Sequence, residues 1–593
     1  MRSKWYLLFA GLVVFSMILA ARAPTVTEEA PAADTGDEPA AEEPAAEEPA
    51  AEEPAAEEPA AEEPAAEEPV VEEEPAKEYP TLRVNLGTWP DLLDPQKSSF
   101  VNEIAHIKMV YESLTKLDDD LVTVPAAAER WEYNDSGDEI TFYLREGLTY
   151  SDGSLLNAAR FEYSLMRNIN PETAGEYAAI TDDIKGAAAW RTSDMDDSLR
   201  GVVAVHAYKS DGMTACDGYE DADCLILKVG TEFPAPYIHT VLSLWVVYPV
   251  KEEIIAQDPD TWWLDGSLHV GNGPFVMEEL VEAEKAVLAP NELYWGEKAQ
   301  VKVQFSYITD TAVAFEAYRN DEFEIIGVGA EDVPAIEADP VLSAELWKYA
   351  GSCTFDVMMH QLKEPFTDKA IREAFMYAID REAWVRDVLK GQGIPTLTWI
   401  PPGFPGYDAD EDRYQFDPEM ALQKIGESSY GSADALPEIV LTFSDTPRNR
   451  TRYEWLSAQW SGIFGIEIGL NPVESTTYTA LTKDVETAPQ AFILGWCADY
   501  PDPQNWLSVY WKTGAFGERI GYSNPELDAL MAQADAELDP ATRMDLYDQA
   551  QKMLVGSAPG AFMWNNINLY LVKPYVQGLR ETPQDAGFIG DNH

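Results

Sequence analysis

The chain has 593 residues, with 105 acidic and 41 basic side chains, and its formal net charge is −64 at pH 7. Such a charge disfavours binding to nucleic acid and to anionic lipid headgroups. It is compatible with a solvated acidic surface and with cationic ligands.

The first 23 residues have the pattern of a secretion signal. Met1 to Lys4 form a basic start, and an apolar stretch runs from Trp5 to Ala21. Leu19 to Arg22 also looks like a bacterial lipoprotein signal, but Arg22 stands where the lipidated cysteine belongs. We therefore predict an extracytoplasmic protein, either secreted or anchored by an uncleaved signal helix.

Residues 24–80 predict a disordered acidic spacer. Ala-Ala-Glu-Glu-Pro is repeated six times from Ala40 to Pro69. Proline every fifth residue prevents a continuous helix, and paired glutamates repel each other, so no core can form. A flexible coil of this length spans about 40 Å. Its predicted role is to hold the following domains away from a surface, and by itself it would also suit a surface-layer or adhesive protein.

The remainder, 81–593, predicts an α/β protein with more than one domain, because it is too long for one ordinary core. Strand-like and helical stretches alternate along it: Thr81 to Gly87, Ile140 to Leu144 and Leu225 to Val229 for strands, Asp368 to Lys390 and Asn524 to Leu554 for helices. In the first helical stretch Asp368 is the expected cap. The expected core residues there recur at helical spacing: Ile371, Ala374, Phe375, Ala378, Ile379 and Val385.

Four cysteines in an exported chain indicate two disulfides, for which three pairings exist. Cys216 and Cys224 flank a short polar loop, which favours a local bond between them. Cys353 would then pair with Cys497. Such a bond closes a loop of roughly 145 residues, for which the chain-entropy model allows up to about 5 kcal/mol.

One acidic residue near the C-terminal end stands between aromatic residues and a cysteine. Ala491 to Leu494 predict a buried strand, Gly495-Trp496-Cys497-Ala498-Asp499-Tyr500 follows, and Pro501 and Pro503 end any regular element. Asp499 is therefore expected at a strand end that faces a cavity or an interface. A carboxylate there requires a cationic partner. The partner is either an Arg or Lys of the same chain or the ammonium of a bound ligand.

Several short segments occur in the order typical of one family: Leu93-Asp94-Pro95, Val110 to Asp118, Glu129 to Glu132, Thr141 to Gly147, Gly271 to Phe275, Pro365 to Asp368 and Ala378 to Glu382. With them the chain resembles the peptide/nickel group (family 5) of extracytoplasmic solute-binding proteins, the receptors of ATP-driven importers. It looks most like the oligopeptide-binding members. The resemblance covers essentially all of 81–575.

The resemblance implies an α/β fold of the two-lobed periplasmic-binding-protein type II, with an extra inserted domain and a ligand cleft between the lobes. Lobe I is expected to consist of 81–124, 250–352 and 566–593. The inserted domain is expected at 125–249, and lobe II at 353–565.

The resemblance also implies a ligand site. Asp499 would receive the free α-amino group of a peptide, and the Cys353–Cys497 bond is expected beside it. The implied backbone partners are Gly495, Cys497 and, across the cleft, Glu112, Ser113, Leu114 and Asn272. For Asn272 a tight turn is the alternative. Trp496 and Trp506 either line ligand pockets or pack within the lobe.

The predicted function is therefore capture of oligopeptides by hinged closure and their delivery to a membrane permease, by a monomer without cofactor or metal. Ile493 occupies a position that is arginine in some oligopeptide binders, which leaves recognition of the peptide carboxylate open. A receptor for another solute, such as an oligosaccharide, is the alternative. A secreted hydrolase is disfavoured, because the sequence has neither a zinc-peptidase pair of histidines nor a Gly-x-Ser-x-Gly elbow.

Overall fold

The computed structural model describes residues 77–90 and 92–579, except for the side chains at 475, 476 and 479. The predicted secretion signal, all but the last four residues of the predicted spacer, and the last part of predicted lobe I lie outside the described residues. Within the described part, no helix combines the length and the apolar composition needed to cross a membrane.

The strands confirm the α/β class and form a large mixed sheet and two smaller sheets. They are β1 Thr81–Asn85, β2 Thr115–Leu117, β3 Thr123–Pro125, β4 Ala128–Tyr133, β5 Glu139–Leu144, β6 Val205–Tyr208, β7 Ile226–Gly230, β8 Phe275–Val281, β9 Lys285–Pro290, β10 Lys302–Ser306, β11 Ile325–Gly327, β12 Leu346–Met359, β13 Ile394–Pro395, β14 Ile439–Ser444, β15 Ile468–Val473, β16 Ala491–Cys497 and β17 Gly560–Val572.

The α-helices lie between these strands, mostly as short segments. They are α1 Val101–Val110, α2 Ala158–Ile169, α3 Ala187–Arg191, α4 Ile238–Val241, α5 Glu252–Ile255, α6 Thr311–Arg319, α7 Val333–Ala338, α8 Leu342–Glu345, α9 Lys369–Tyr377, α10 Arg381–Ala383, α11 Pro418–Glu427, α12 Pro447–Phe464, α13 Ser475–Leu481, α14 Pro503–Trp506, α15 Ser508–Trp511, α16 Pro525–Ala536 and α17 Pro540–Ser557.

The predicted strands at the start of the chain and around residues 140 and 226 are confirmed, whereas both long helical stretches are interrupted. Asp368 caps α9 by accepting a hydrogen bond from the Ala370 amide, as predicted. The helix ends at Tyr377, and Asp380 caps the next one. The later stretch divides into α16 and α17, because Asp539 caps a new helix that begins at Pro540. The six expected core residues of the first stretch are all buried.

The large sheet is continuous through two long strands. Its order is β15-β14-β16-β12-β17-β11-β1-β10-β9-β8, with β13 beside β17. Strands β12 and β17 pair antiparallel along most of their length, with a register shift between Ala350 and Thr354. One end of this pair therefore lies among β11 and β1, and the other lies beside β16.

Buried apolar side chains form two large clusters and a small one. The first joins β1, β5, α2 and β10, and the second packs around α9, α12, β14 and α17. The small third cluster lies under α6 and β11. Tyr500 belongs to the first cluster although its neighbours Ala498 and Trp506 belong to the second. The segment after β16 thus lies where the two large clusters meet.

Both predicted disulfides are confirmed. Cys216 is bonded to Cys224 at the end of the loop before β7, and Cys353 of β12 is bonded to Cys497 of β16. The second bond connects residues 144 positions apart.

Candidate functional site

The register between β12 and β16 decides which way the backbone of β16 points. Cys353 lies opposite Cys497, with a distance of 3.9 Å between the Cα atoms. The Ala498 amide donates to the Ser352 carbonyl at 3.0 Å. In an antiparallel pair, hydrogen-bonded and non-hydrogen-bonded residue pairs alternate. The even-numbered residues of β16 therefore bond to β12, and the odd-numbered residues direct their backbone N–H and C=O groups away from it.

The outer edge of β16 is covered by a strand only at its beginning. Strand β14 pairs with it through Leu441 opposite Ala491, and beyond this point the described residues add no strand on that side. Two tyrosine hydroxyls form hydrogen bonds with the backbone of Ile493. Tyr453 accepts from its amide at 2.6 Å, and Tyr478 donates to its carbonyl at 2.7 Å. By the same alternation, Gly495 and Cys497 direct their backbone groups to this edge.

The absence of a side chain at Gly495 leaves room for the Phe355 ring of the neighbouring strand β12. A Cβ atom at this position would lie 2.5 Å from Cδ1 of Phe355, which faces it on β12. The Phe355 ring stacks on Trp564, with 4.6 Å between the ring centroids. Any side chain at 495 would therefore displace this stack or the strand edge itself.

Asp499 follows β16 and has polar neighbours. The Asn505 amide donates to its Oδ2 at 2.9 Å. Burial raises the pKa of the Asp499 carboxyl to about 6, while the hydrogen bond from Asn505 and the nearby Tyr177 hydroxyl act in the opposite direction. The residue as a whole is partly exposed. The carboxylate is thus poorly hydrated, and a cation reaching it would gain a favourable interaction.

The turn after Asp499 brings the side chain of Asn505 within hydrogen-bonding distance of the Asp499 carboxylate. The side chain of Asp502 caps α14 by accepting from the Gln504 amide at 2.9 Å. The Arg543 guanidinium holds the same carboxylate with two hydrogen bonds of 2.7 Å. Asn505 was not predicted from the sequence, although Asp502-Pro503, a typical helix start right after the motif, indicated that the chain turns back here. No sequence pattern pointed to Tyr177.

A cavity of about 1050 Å³ lies beside this segment. Tyr177, Ile180 and Asp183 contribute to one wall, and Leu494, Tyr500 and Phe516 to the other. The first wall comes from the predicted inserted domain and the second from predicted lobe II. The cavity therefore brings the segment around Tyr177 together with the segment that follows β16.

The two tryptophans of the motif region have different surroundings. Trp496 is partly exposed and packs on Phe516 of the cavity wall, with 5.0 Å between the ring centroids. Trp506 is fully buried, and its carbonyl accepts from the Trp399 indole at 2.7 Å. Trp506 thus packs in the core of this part of the chain and does not line the cavity. Trp496 lies next to the cavity.

The four residues predicted across the cleft have internal partners. The Asn272 side chain accepts from the Glu112 amide at 3.0 Å and donates to the Glu112 carbonyl at 2.9 Å. The carbonyls of Ser113 and Leu114 accept from backbone amides of the segment before β4. All four residues are buried. Asn272 therefore joins two segments of the chain through its side chain, and ligand contact by these four residues stays a prediction.

Glu112 is held by its side chain as well. Its carboxylate accepts from the Trp295 indole at 2.6 Å and from the Tyr294 hydroxyl. Burial raises the pKa of this carboxyl, and Lys116 lies 3.7 Å away. These contacts hold the Glu112 side chain between two segments of the chain.

The chain matches the model of a known protein family. The family model for bacterial extracellular solute-binding proteins, family 5 Middle, matches residues 122–518. The chain belongs to this family, which confirms the resemblance seen in the sequence.

Individual relatives match over most of their length. The probable deoxycholate-binding periplasmic protein YgiS of Escherichia coli (strain K12) is 28% identical over 523 residues, covering 85% of this chain and 91% of the relative. The dipeptide-binding protein DppE of Bacillus subtilis (strain 168) is 27% identical over 498 residues, with 81% and 85% covered. The structure of the Escherichia coli murein tripeptide binding protein MppA superposes with a TM-score of 0.71 at 23% identity, covering 86% of this chain and 97% of MppA. The two-lobed fold is thereby confirmed.

Proposed function

We propose that this protein captures oligopeptides as the receptor of an ATP-driven importer. The observation that carries the proposal is the open edge of β16, where Gly495 and Cys497 direct their backbone groups outward next to the poorly hydrated carboxylate of Asp499. Relatives named for dipeptide and murein tripeptide binding support the same ligand class.

A peptide fits this edge because its backbone is the same whatever its side chains are. An extended ligand would add a strand to β16 and bond to Gly495 and Cys497. Its ammonium would lie against Asp499 and form a charge-assisted hydrogen bond. Backbone pairing then supplies affinity without sequence preference, and Asp499 sets the register. Trp496 and the cavity wall are then available to contact the side chains of the peptide.

The domain division stays part of the proposal. We take lobe I, the inserted domain and lobe II as in the sequence analysis, and we place the hinge in β12 and β17, near the register shift between Ala350 and Thr354. A bulged pair of strands is a reasonable hinge because its ladder is locally interrupted. The closed, liganded form would deliver the peptide to a permease. We expect a monomer outside the cytoplasm.

The free ammonium group distinguishes peptides from the other candidate ligands. A deoxycholate anion, suggested by the name of one relative, would bring a second negative charge towards Asp499. An oligosaccharide has no cation for this carboxylate. Either class would have to bind without the contact that distinguishes this site.

Isothermal titration calorimetry with short alanine peptides tests the proposal. We expect micromolar affinity or better for unblocked peptides, about −8 kcal/mol. N-acetylated peptides should bind at least tenfold more weakly to the native protein, and Asp499→Asn should remove this difference. Equal binding of acetylated and free peptides would refute the ammonium contact. Binding of deoxycholate or an oligosaccharide in place of peptides would refute the ligand class.

A further inference from the structure

Two carboxyl groups line the cavity beside β16 and have no part in the proposed ammonium contact. Asp183 follows the turn that contains Tyr177, and Asp535 lies near the end of α16. We call Asp183 and Asp535 the acidic pair. Only 3% of the Asp535 surface is exposed, although the residue contributes to the cavity lining. An ionised carboxylate in such a place costs free energy unless a cation lies beside it.

Hydroxyl groups hold one oxygen atom of each carboxyl group in the acidic pair. The Tyr237 hydroxyl donates to Oδ2 of Asp183 at 2.7 Å. The hydroxyls of Ser508 and Tyr547 both donate to Oδ1 of Asp535, each at 2.7 Å. The described residues supply no hydrogen bond to Oδ1 of Asp183 or to Oδ2 of Asp535. Each carboxyl group is thus fixed in position by one oxygen and keeps the other for a ligand.

Two cations of the chain lie near the acidic pair but form no ion pair with it. The Arg543 guanidinium lies 5.3 Å from the ring centroid of Tyr237 and 4.8 Å from that of Tyr547. Its two Nη atoms are bonded to the Asp502 carboxylate at 2.7 Å, which compensates its charge. Lys512 lines the cavity, but it is exposed and pairs with no carboxylate within 4.0 Å in the part of the chain that the structure describes.

The environment of the acidic pair disfavours its ionisation as long as no cation is bound. Burial raises the pKa of the Asp183 carboxyl, with the Tyr237 hydrogen bond and the charge of Lys512 acting against it. Burial also raises the pKa of the Asp535 carboxyl to about 6, and the negative charge of Asp183 acts in the same direction. A cation that reached both groups would relieve their repulsion, and it would gain more than beside a fully hydrated carboxylate.

The chemistry of the surroundings favours an organic cation over a metal ion. Among the described residues no group of three or more His, Cys, Asp or Glu side chains is placed to hold a metal ion. The cavity lining instead includes half-buried apolar side chains close to the acidic pair in sequence, Ile180 before Asp183 and Val509 after Ser508. Lysine and arginine side chains combine an aliphatic stem, which packs on apolar surface, with a cationic end.

We propose that Asp183 and Asp535 form a pocket for a cationic side chain of the bound peptide, so that the receptor prefers lysine or arginine at one peptide position. This inference rests on the proposed function, because the peptide backbone must first be held along β16. It adds a preference at a single position to a mode of binding that is otherwise independent of sequence. The terminal ammonium remains with Asp499.

The test is a positional scan by isothermal titration calorimetry with the complete protein at pH 7.5. The ligands are unblocked alanine tetrapeptides in which lysine or norleucine replaces alanine at each position in turn. Norleucine has the aliphatic stem of lysine without the ammonium, so the ratio of the two affinities measures the contact made by the charge. In the native protein we expect lysine to bind about 10- to 100-fold more tightly than norleucine at one position only.

The net charge of the chain makes the position dependence decisive. A charge of −64 attracts every cationic peptide, whichever residue carries the lysine. Salt at about 0.15 M screens this attraction, whereas it screens a contact inside the cavity much less. A ratio that is the same at every position would therefore reflect the surface charge and would overturn the pocket.

Asp535→Asn and Asp183→Asn test the two members of the acidic pair separately. Each keeps an oxygen that accepts from the neighbouring hydroxyls and removes one negative charge. We expect each to lower the lysine-to-norleucine ratio at the preferred position by at least about fivefold and to leave the affinity for tetra-alanine unchanged.

Glu518→Gln is the matched control, because it removes one negative charge from an exposed side chain in the lining of the same cavity. It should leave the ratio unchanged at every position. An equal loss of the ratio in Glu518→Gln, or an unchanged ratio in both Asp535→Asn and Asp183→Asn, would overturn the pocket. If Asp535→Asn does not fold, the ratio in Asp183→Asn decides.

The remaining outcomes separate the pocket from the proposed function. If Asp535→Asn or Asp183→Asn removes the difference between acetylated and free peptides, the acidic pair holds the terminal ammonium, and the pocket is overturned. If native protein binds tetra-alanine but the lysine-to-norleucine ratio is near one at every position, only the pocket fails. If native protein binds none of these peptides, the proposed function fails, and the inference fails with it.

Discussion

The Asp499→Asn substitution removes a poorly hydrated charge with little change of shape, and should therefore stabilise the ligand-free protein. Burial raises the pKa of this carboxyl from 3.8 to about 6. A shift of about two units corresponds to up to about 3 kcal/mol of cost to the folded state when the carboxyl is ionised. Partial exposure of the residue reduces this value, so we expect a gain of about 1–3 kcal/mol at neutral pH.

The gain should depend on pH in a defined direction. Because the folded state binds the Asp499 proton more tightly than the unfolded chain does, the native protein loses stability as the pH rises between the two pKa values. The penalty is absent below about pH 4 and complete above about pH 6. The stability of Asp499→Asn relative to the native protein should therefore rise over this interval and stay constant above it.

Differential scanning calorimetry of the ligand-free proteins from pH 4 to pH 8 measures this difference. For a domain assembly of this size, 1–3 kcal/mol corresponds to a Tm increase of about 1–3 °C. Asp502→Asn is the control, because Asp502 is ion-paired with Arg543 at 2.7 Å and its neutralisation should lower the Tm. If Asp499→Asn melts at or below the native temperature at pH 7.5, a cation of the chain holds Asp499, and the internal-partner alternative is correct.

Three further changes test the site. Binding of unblocked peptides should weaken as the pH falls below about 6, by about tenfold per unit, because the carboxyl becomes neutral; pH-independent calorimetric titrations from pH 5 to 7.5 would contradict this. Gly495→Ala should cost about 1–3 kcal/mol of stability and weaken peptide binding, because the new methyl group meets Phe355 at 2.5 Å. Gly327→Ala, with open space around the new methyl group, should leave binding unchanged. Replacing both Cys353 and Cys497 by serine should lower stability by about 2–5 kcal/mol in denaturant titrations, and an unchanged midpoint would refute a stabilising role for this bond.

The parts of the site that were predictable depend on local sequence. The apolar run before Gly495 and the prolines after Asp499 place the strand and its end, because strand length and proline chemistry are properties of a few neighbouring residues. The Cys353–Cys497 bond was predictable because four cysteines allow only three disulfide pairings. The interruption at Asp380 was not recognised, because the apolar spacing continues across it while the backbone starts a new helix.

The opposite wall of the site was not predictable, because it depends on contacts between distant segments. Tyr177 comes from a short turn with no distinctive pattern, yet it faces Asp499. Glu112 and Asn272 were expected to bond to a ligand from their family positions. In the structure the Asn272 side chain bonds to the backbone of Glu112, a contact between segments 160 positions apart that only the three-dimensional arrangement shows.

The Cys353–Cys497 disulfide and the outward-facing backbone groups of β16 both follow from the register between β12 and β16. Cys353 and Cys497 can be bonded because they form a non-hydrogen-bonded pair, in which the two side chains come close. The same pairing turns the backbone groups of Cys497 outward and, two residues earlier, those of Gly495. A slip of β16 by one residue would move the outward groups to Trp496 and Leu494 and bring their side chains to the opposite face. By holding Cys497 opposite Cys353, the bond therefore preserves the set of backbone groups that a peptide meets next to Asp499.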